Sequence, residues 1–264
     1  MIREAASVIL LRRVEPGYEV FFVRRHKGSS FMASAFVFPG GAAEEGEDAK
    51  TAAARELFEE AGVLLARDAG VQAETLETPN QEKLRKRVLS GVPAKDVLRD
   101  AGLTWGTDGL VPWSHWITPS VEKKRFSARF FVCEMPAGQE PRFDETETVD
   151  QIWVTPQEAL ARAADLMLPP PQVRTCWELA QLTTLDAVLA AGRTRATEPH
   201  PIMPRLMPGE RPCLLLPWDP QYSDATGDSA PMAYRPAWAT GPSRFVLEDR
   251  AWKHVAAPGS TSAA

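Results

Sequence analysis

Glu56, Glu59 and Glu60 are the residues of this chain best placed to do chemistry. They lie in an Ala-, Leu- and Glu-rich stretch, residues 50–65, that predicts a helix with Asp48 as its N-cap. At spacings i, i+3 and i+4 the three carboxylates share one face, with Cβ atoms about 5–6 Å apart. Like charges at that distance repel, by roughly 0.2–0.5 kcal/mol per pair on an exposed helix. A hard divalent cation reverses the sign of that interaction. Carboxylate oxygens are the ligands Mg²⁺ prefers, its other positions going to water and substrate phosphates. The bland alternative is a solvated acidic helix face. A second stripe, Ala54, Leu57, Phe58 and Ala61, has the i, i+3, i+4, i+7 spacing of a buried face.

The preceding residues must aim this helix. Residues 35–38 read as a short strand that Pro39-Gly40-Gly41 breaks, and two glycines let backbone approach a ligand or metal closely. Glu47 and Arg55 read as an ion pair that ties the loop to the helix and orients the carboxylates. Gly62 either ends the ligand-bearing part of the helix or allows close packing there.

Gly41, Glu47 and Arg55-Glu56-Leu57-Phe58-Glu59-Glu60-Ala61-Gly62-Val63 fill every fixed position of the Nudix box at its spacing. Over this stretch the chain resembles the Nudix hydrolases. The resemblance implies an α/β fold, the α/β/α sandwich around a mixed β-sheet, here with a helical insert and a C-terminal extension. It also implies cleavage of a diphosphate linkage with Mg²⁺ or Mn²⁺. Glu56, Glu59 and Glu60 would be the metal ligands, with the Gly40 carbonyl as a backbone ligand. Nudix enzymes often take a general base from the loop before a later strand. Asp144-Glu145-Thr146-Glu147 precedes the strand that carries Trp153. Spacing to the tryptophan favours Glu147, with Glu145 as runner-up and Glu56 as a further alternative; a solvated acidic loop is the other reading.

Segments outside the box resemble the coenzyme A diphosphatase branch: Arg24-Arg25-His26, Trp116-Ile117-Thr118-Pro119, Arg125-Phe126 with the run to residue 132, and Leu168-Pro169-Pro170-Pro171-Gln172. With the box they span roughly residues 5–216. This implies coenzyme A or acyl-coenzyme A as substrate, cleaved to adenosine 3′,5′-bisphosphate and (acyl-)phosphopantetheine. The alternatives are ADP-ribose, NADH or a dinucleotide as substrate, and a ligand-sensing module without turnover. Residues 25–36 do not match the separate coenzyme A signature of another group, and Ser-Thr-Ser-Ala-Ala at the end is not a Ser-Lys-Leu address. Arg25 and Arg125 are the candidates for phosphate contact, since a guanidinium suits bidentate phosphate recognition.

The chain has 264 residues, 44% hydrophobic and 25% charged, which is ordinary for a globular protein. A net charge of −5 argues against bulk nucleic-acid binding. No run reaches the length of a membrane helix. Cys133, Cys176 and Cys213 are far apart, with no CxxC, and fit a reducing cytoplasm. Residues 1–192 read as one hydrolase domain. The polar stretch at about 67–110, with helical patterns over 81–89 and 94–101, reads as an insert. It covers the substrate, supports a homodimer or simply packs on the surface. Residues 6–12 and 18–24 predict a hairpin, and 126–134 and 148–154 predict strands. Thr155-Pro156-Gln157-Glu158 is a capping box opening a helix to about residue 165. A further helix follows Pro169-Pro170-Pro171 with an apolar stripe of Val173, Cys176, Trp177 and Ala180. Residues 193–264 read as an extension packed on the same domain, with a hairpin at 202–216 and a strand pair at 244–255.

Overall fold

The computed structural model describes residues 2–29, 32–68, 78–195, 201–209, 211, 213–227, 233–249 and 251–258. The elements run β1 (Ile2–Arg13), β2 (Tyr18–Arg25), β3 (Phe36–Val37), β4 (Gly40–Ala42), α1 (Ala49–Ala61), β5 (Ala66–Asp68), α2 (Thr78–Leu89), α3 (Ala94–Asp100) and β6 (Leu103–Trp105). They continue with β7 (Val111–Ile117), β8 (Arg125–Glu134), β9 (Thr148–Val154), α4 (Pro156–Ala161), α5 (Pro170–Leu179) and α6 (Leu185–Arg195). The tail adds β10 (Arg205–Met207), β11 (Cys213–Leu215), β12 (Arg244–Glu248) and β13 (Ala251–Val255).

Strand β1 organises the main sheet, which runs β3-β2-β1-β8-β7 with β4 also on β1 and β9 also on β2. It pairs in parallel with β8, from Ile2↔Arg125 to Leu11↔Glu134, and antiparallel with β2 and β4. The sheet is therefore mixed. Its middle is covered on both faces, and the β1 sequence shows why: Val8-Ile9-Leu10-Leu11 is apolar at every position rather than at alternate ones. Ile9 and Leu11 join Val20 and Phe22 in a core with Val173, Cys176 and Leu179 of α5 and Val188 of α6. Val8 and Leu10 join Phe21 and Val23 on the other side, against Ala53, Ala54, Leu57 and Ala61 of α1. This is the α/β/α sandwich.

Helix α1 begins as the sequence predicts, with the Asp48 side chain accepting from the Lys50 and Thr51 amides. It ends four residues before residue 65, at Ala61. Gly62 takes the left-handed conformation, φ 70°, and its N–H closes on the Phe58 carbonyl. The Gln139 side chain then pairs with the Leu64 backbone, donating at 2.9 Å and accepting at 2.8 Å, in place of a further helical turn. Helix α4 also stops early, at Ala161 rather than residue 165, although its capping box forms as expected. In α5 the fully buried residues include Arg174 and Leu179, whereas Trp177 and Ala180 are only half-buried. Helix α6 was not foreseen.

The described part of the insert holds α2, α3 and β6, and residues 69–77 lie outside the described residues. Val88, Val97, Leu98 and Leu103 pack around Phe58 and Leu64, so the insert clads the outer side of α1.

The tail forms a four-stranded antiparallel sheet, β10-β11-β12-β13. Leu216, Trp218 and Phe245 enter the same core as α5. Arg174, 1% exposed, pins it there. Its guanidinium donates to the Thr240 and Pro242 carbonyls at 3.0 and 3.1 Å and to Glu178 at 2.7 Å. Glu178 also accepts from Arg195 at 2.7 Å. Four tryptophan faces cover the two cations: Trp177 and Trp218 beside Arg174, Trp113 and Trp238 beside Arg195.

Candidate active site

The carboxylates of α1 open onto a cleft of about 1170 Å³. Glu56, Glu59 and Glu60 all line it, as do Gly40 and Gly41 of β4. Strand β4 is held against the start of β1 through Ala5↔Ala42 and Ser7↔Gly40, which brings the glycine turn over the helix. The Gly40 amide donates to the Glu60 carboxylate at 2.8 Å. A Cβ on residue 40 would run into the Ala6 carbonyl and the Ser7 backbone, so only glycine fits there, and one on residue 41 would push the Glu56 carboxylate aside.

Arg55 is the hub of the box and is 6% exposed. It donates from Nε and Nη2 to Glu47 at 3.0 Å each, and from Nη2 to the Ala42 carbonyl at 2.8 Å. Its Nη1 donates to Glu56 at 2.9 Å and to Glu59 at 3.0 Å. The expected Glu47–Arg55 pair therefore forms, and the same guanidinium fixes loop, strand and two carboxylates together.

One guanidinium does not balance this much negative charge. Burial pushes the Glu56 carboxyl up to about 7; Arg55 opposes the shift, while Glu59 and Glu147 reinforce it. Burial pushes Glu60 up to about 8, with Glu56 and Glu147 adding to the rise and the Gly40 amide and Arg25 opposing it. Glu59 is also raised, again chiefly by burial. Glu60 is 3% exposed. Desolvated carboxylates raised in this way are short of a positive partner. The donor set is all oxygen, which suits a hard cation such as Mg²⁺ or Mn²⁺. Among the described residues no three acidic, His or Cys side chains stand ready as a closed ligand cluster. The bonds above give the reason: Arg55 draws Glu56 and Glu59 toward itself, and Glu60 turns to the Gly40 amide.

Glu147 lines the cleft and acts electrostatically on Glu56, Glu59 and Glu60. Glu145 is exposed, sits at φ 65° and is not among the lining residues. The residue that shapes this loop is Asp144, which the sequence reading passed over. Its carboxylate accepts from the amides of Thr146, Glu147 and Thr148 and from the Thr148 hydroxyl. Burial opposes its charge, but these bonds hold it below the usual carboxylate range. An Asp followed by Thr at i+2 and i+4 at a strand entry is a signal for such a turn.

Arg25 and Arg125 both line the cleft. Arg25 is close enough to lower the Glu60 pKa. Arg125 donates to the Thr118 carbonyl at 3.0 Å, which joins the basic turn to the end of β7. Arg85 of the insert was also missed. It donates twice to the Glu59 carbonyl, at 2.7 and 3.1 Å, and so caps the acidic helix from outside.

The segments singled out beyond the box converge on the same cleft. Trp116, Ile117, Thr118 and Pro119 line it from the end of β7, Phe126 and Ala128 from β8, and Pro170, Pro171 and Gln172 from the start of α5.

Residues 48–182 match the family model of the NUDT19 Nudix domain. The chain belongs to the Nudix hydrolase family. It is 31% identical over 212 residues to a Caenorhabditis elegans protein named nudix hydrolase 7, covering 77% of this chain and 68% of that one. It is 27% identical over 232 residues to an acyl-coenzyme A diphosphatase NUDT19 of Xenopus laevis, covering 62% of this chain and 60% of the relative. Among solved structures, a Nudix hydrolase from Alicyclobacillus acidocaldarius aligns with a TM-score of 0.63 at 26% identity, over 72% of this chain and 96% of that one. No helix among the described residues is long and apolar enough to cross a membrane.

Proposed function

We propose that this Nudix hydrolase cleaves the diphosphate linkage of coenzyme A or acyl-coenzyme A, releasing adenosine 3′,5′-bisphosphate and (acyl-)phosphopantetheine. The observation that carries the hydrolytic part is the set of three desolvated carboxylates facing one cleft with a single guanidinium among them. Glu56, Glu59 and Glu60, with the Gly40 carbonyl, would hold Mg²⁺ or Mn²⁺. The chemistry it would supply there is polarisation of phosphoryl oxygens and stabilisation of the charge developing on them. Glu47 and Arg55 keep the carboxylate face in place. Glu147 takes the proton of the attacking water, and the Asp144 turn sets its position. Arg25 and Arg125 receive phosphate oxygens at the cleft wall.

The substrate reading is supported by the convergence of residues 116–119, Arg125, Phe126, Ala128 and residues 170–172 on the cleft and by the likeness to the frog acyl-coenzyme A diphosphatase. Residues 1–192 form the hydrolase domain in this reading, and the tail from 193 completes it. The three cysteines are all free, which favours a cytoplasmic setting.

Mass-resolved product analysis with Mg²⁺ or Mn²⁺ tests the whole reading. Adenosine 3′,5′-bisphosphate should appear from coenzyme A and an acyl-coenzyme A offered beside ADP-ribose and NADH. Cleavage of ADP-ribose or NADH alone would keep the chemistry and overturn the substrate.

A further inference from the structure

The tail sheet presents an apolar face whose pattern the main-sheet chemistry does not use. Leu206 pairs with Leu214 across β10 and β11, Leu214 with Phe245 across β11 and β12, and Leu247 with Trp252 across β12 and β13. Residues directly opposite in antiparallel strands share a side, and residues two apart in one strand do as well. All five side chains therefore lie on one face. Met207, Cys213 and Leu215 lie on the other, closed over by Tyr222 and Ala225.

The first face is only partly consumed by packing. Phe245 is fully buried in the core beside α5. Leu206, Leu214, Leu247 and Trp252 remain half-buried, and all four line the cleft that holds the carboxylates. Two large apolar side chains that are otherwise open to solvent, Leu89 at 49% and Val121 at 47%, line that cleft too. Lys123, Lys124 and Arg125 follow Val121 in the turn and also line it. The cleft thus carries an acidic floor, a basic turn and a long apolar wall. A diphosphate and a cation satisfy the first two. Neither accounts for the third.

We propose that the β10–β13 face, with Val121, is the subsite for an apolar chain carried by the substrate on the far side of its diphosphate, so that the tail selects chain-bearing over chainless substrates. The inference rests on the cleft being the site of diphosphate cleavage. The occupant follows from continuity: the wall belongs to the same cavity as the carboxylates, and a thioester-linked acyl chain is the apolar group that such a substrate would bring there.

The test uses the full chain with Mg²⁺ and compares kcat/KM for decanoyl-coenzyme A with that for coenzyme A. Wild type should favour the chain-bearing substrate, and Leu247→Asp should reduce that ratio at least about tenfold, since a charge replaces apolar contact area. Val121→Asp, at an exposed turn outside the tail sheet, should lower the ratio in the same direction if Leu247→Asp fails to fold. A wild-type ratio near one, or a ratio that both variants keep, overturns the proposal. If wild type cleaves neither compound, the substrate reading fails on its own. The subsite is then decided by calorimetry with decyl diphosphate against inorganic pyrophosphate: at least about tenfold tighter binding of the decyl compound supports it, and equal binding overturns it.

Discussion

Two buried arginine–carboxylate clusters in this molecule have opposite balances of charge. Around Arg55, one guanidinium serves Glu47, Glu56 and Glu59, and Glu60 stands beside them. Around Glu178, one carboxylate serves Arg174 and Arg195. In the second cluster the surplus positive charge is absorbed by the Thr240 and Pro242 carbonyls and by four indole faces. In the first, the Gly40 amide and Arg25 offset the surplus negative charge only in part, and the carboxylates facing the cleft stay raised by burial. A buried excess that the protein itself satisfies is structural. One left facing a cleft is held for a ligand.

The contrast can be broken from either side. The largest effect expected on stability comes from Arg174→Met. It leaves Glu178 paired with Arg195 but takes the donor from the Thr240 and Pro242 carbonyls and frees the tail from α5, at a cost of about 2–4 kcal/mol. Urea melts would show it, and a loss below about 1 kcal/mol would mean the cluster is not what holds the tail. At the other cluster, Glu60→Gln should lower kcat by at least about a hundredfold, with a melting temperature unchanged or raised. Turnover near the wild-type rate would refute its role. Arg55→Lys should be milder on the same assay, roughly a ten- to hundredfold loss, because an ammonium cannot span Glu47, the Ala42 carbonyl, Glu56 and Glu59 together.

The smallest effect concerns pH. His254 stacks on Phe245 and meets Trp177 edge-on. Burial, with Arg174 nearby, pushes its imidazole down to about 3. It is neutral in the fold and takes up a proton in the unfolded chain below about pH 6.5. The stability it confers is present above that value and is lost as pH falls toward 3. His254→Phe should therefore flatten acid unfolding over this window, measured by melts at stepped pH. An unchanged slope would place the acid sensitivity elsewhere.

The two clusters also differ in how much of each the sequence reveals. The Arg55 cluster lies within residues 41–63, so helical spacing alone brings Glu56, Glu59 and Glu60 to one face and Glu47 within reach of Arg55. Arg174 and Glu178 are one turn apart, but Arg195 and the Thr240 and Pro242 carbonyls reach them only through tertiary packing. Arg85 escaped for the same reason, since only the fold brings it to the Glu59 carbonyl, whereas the Asp144 turn is local and the threonines at i+2 and i+4 were its signal. The strands β1, β2, β8 and β9 were legible because apolar and β-branched runs mark them. The ends of α1 and α4 were not. Leu64 and Leu65 favour a helix by propensity, yet Gly62 and the Gln139 side chain give that backbone better partners. The branch-like segments were visible singly, but their meeting on one cleft depends on the parallel pairing of β1 with β8.

We propose that the surplus charge around Arg55 is held for a divalent cation. Calorimetric titration of Mn²⁺ into the full chain, wild type beside Glu60→Gln, tests it most directly. Wild type should bind saturably, and the variant should lose that binding or weaken it by at least about tenfold. Equal binding by both proteins, or none in wild type under conditions where it turns substrate over, would contradict it.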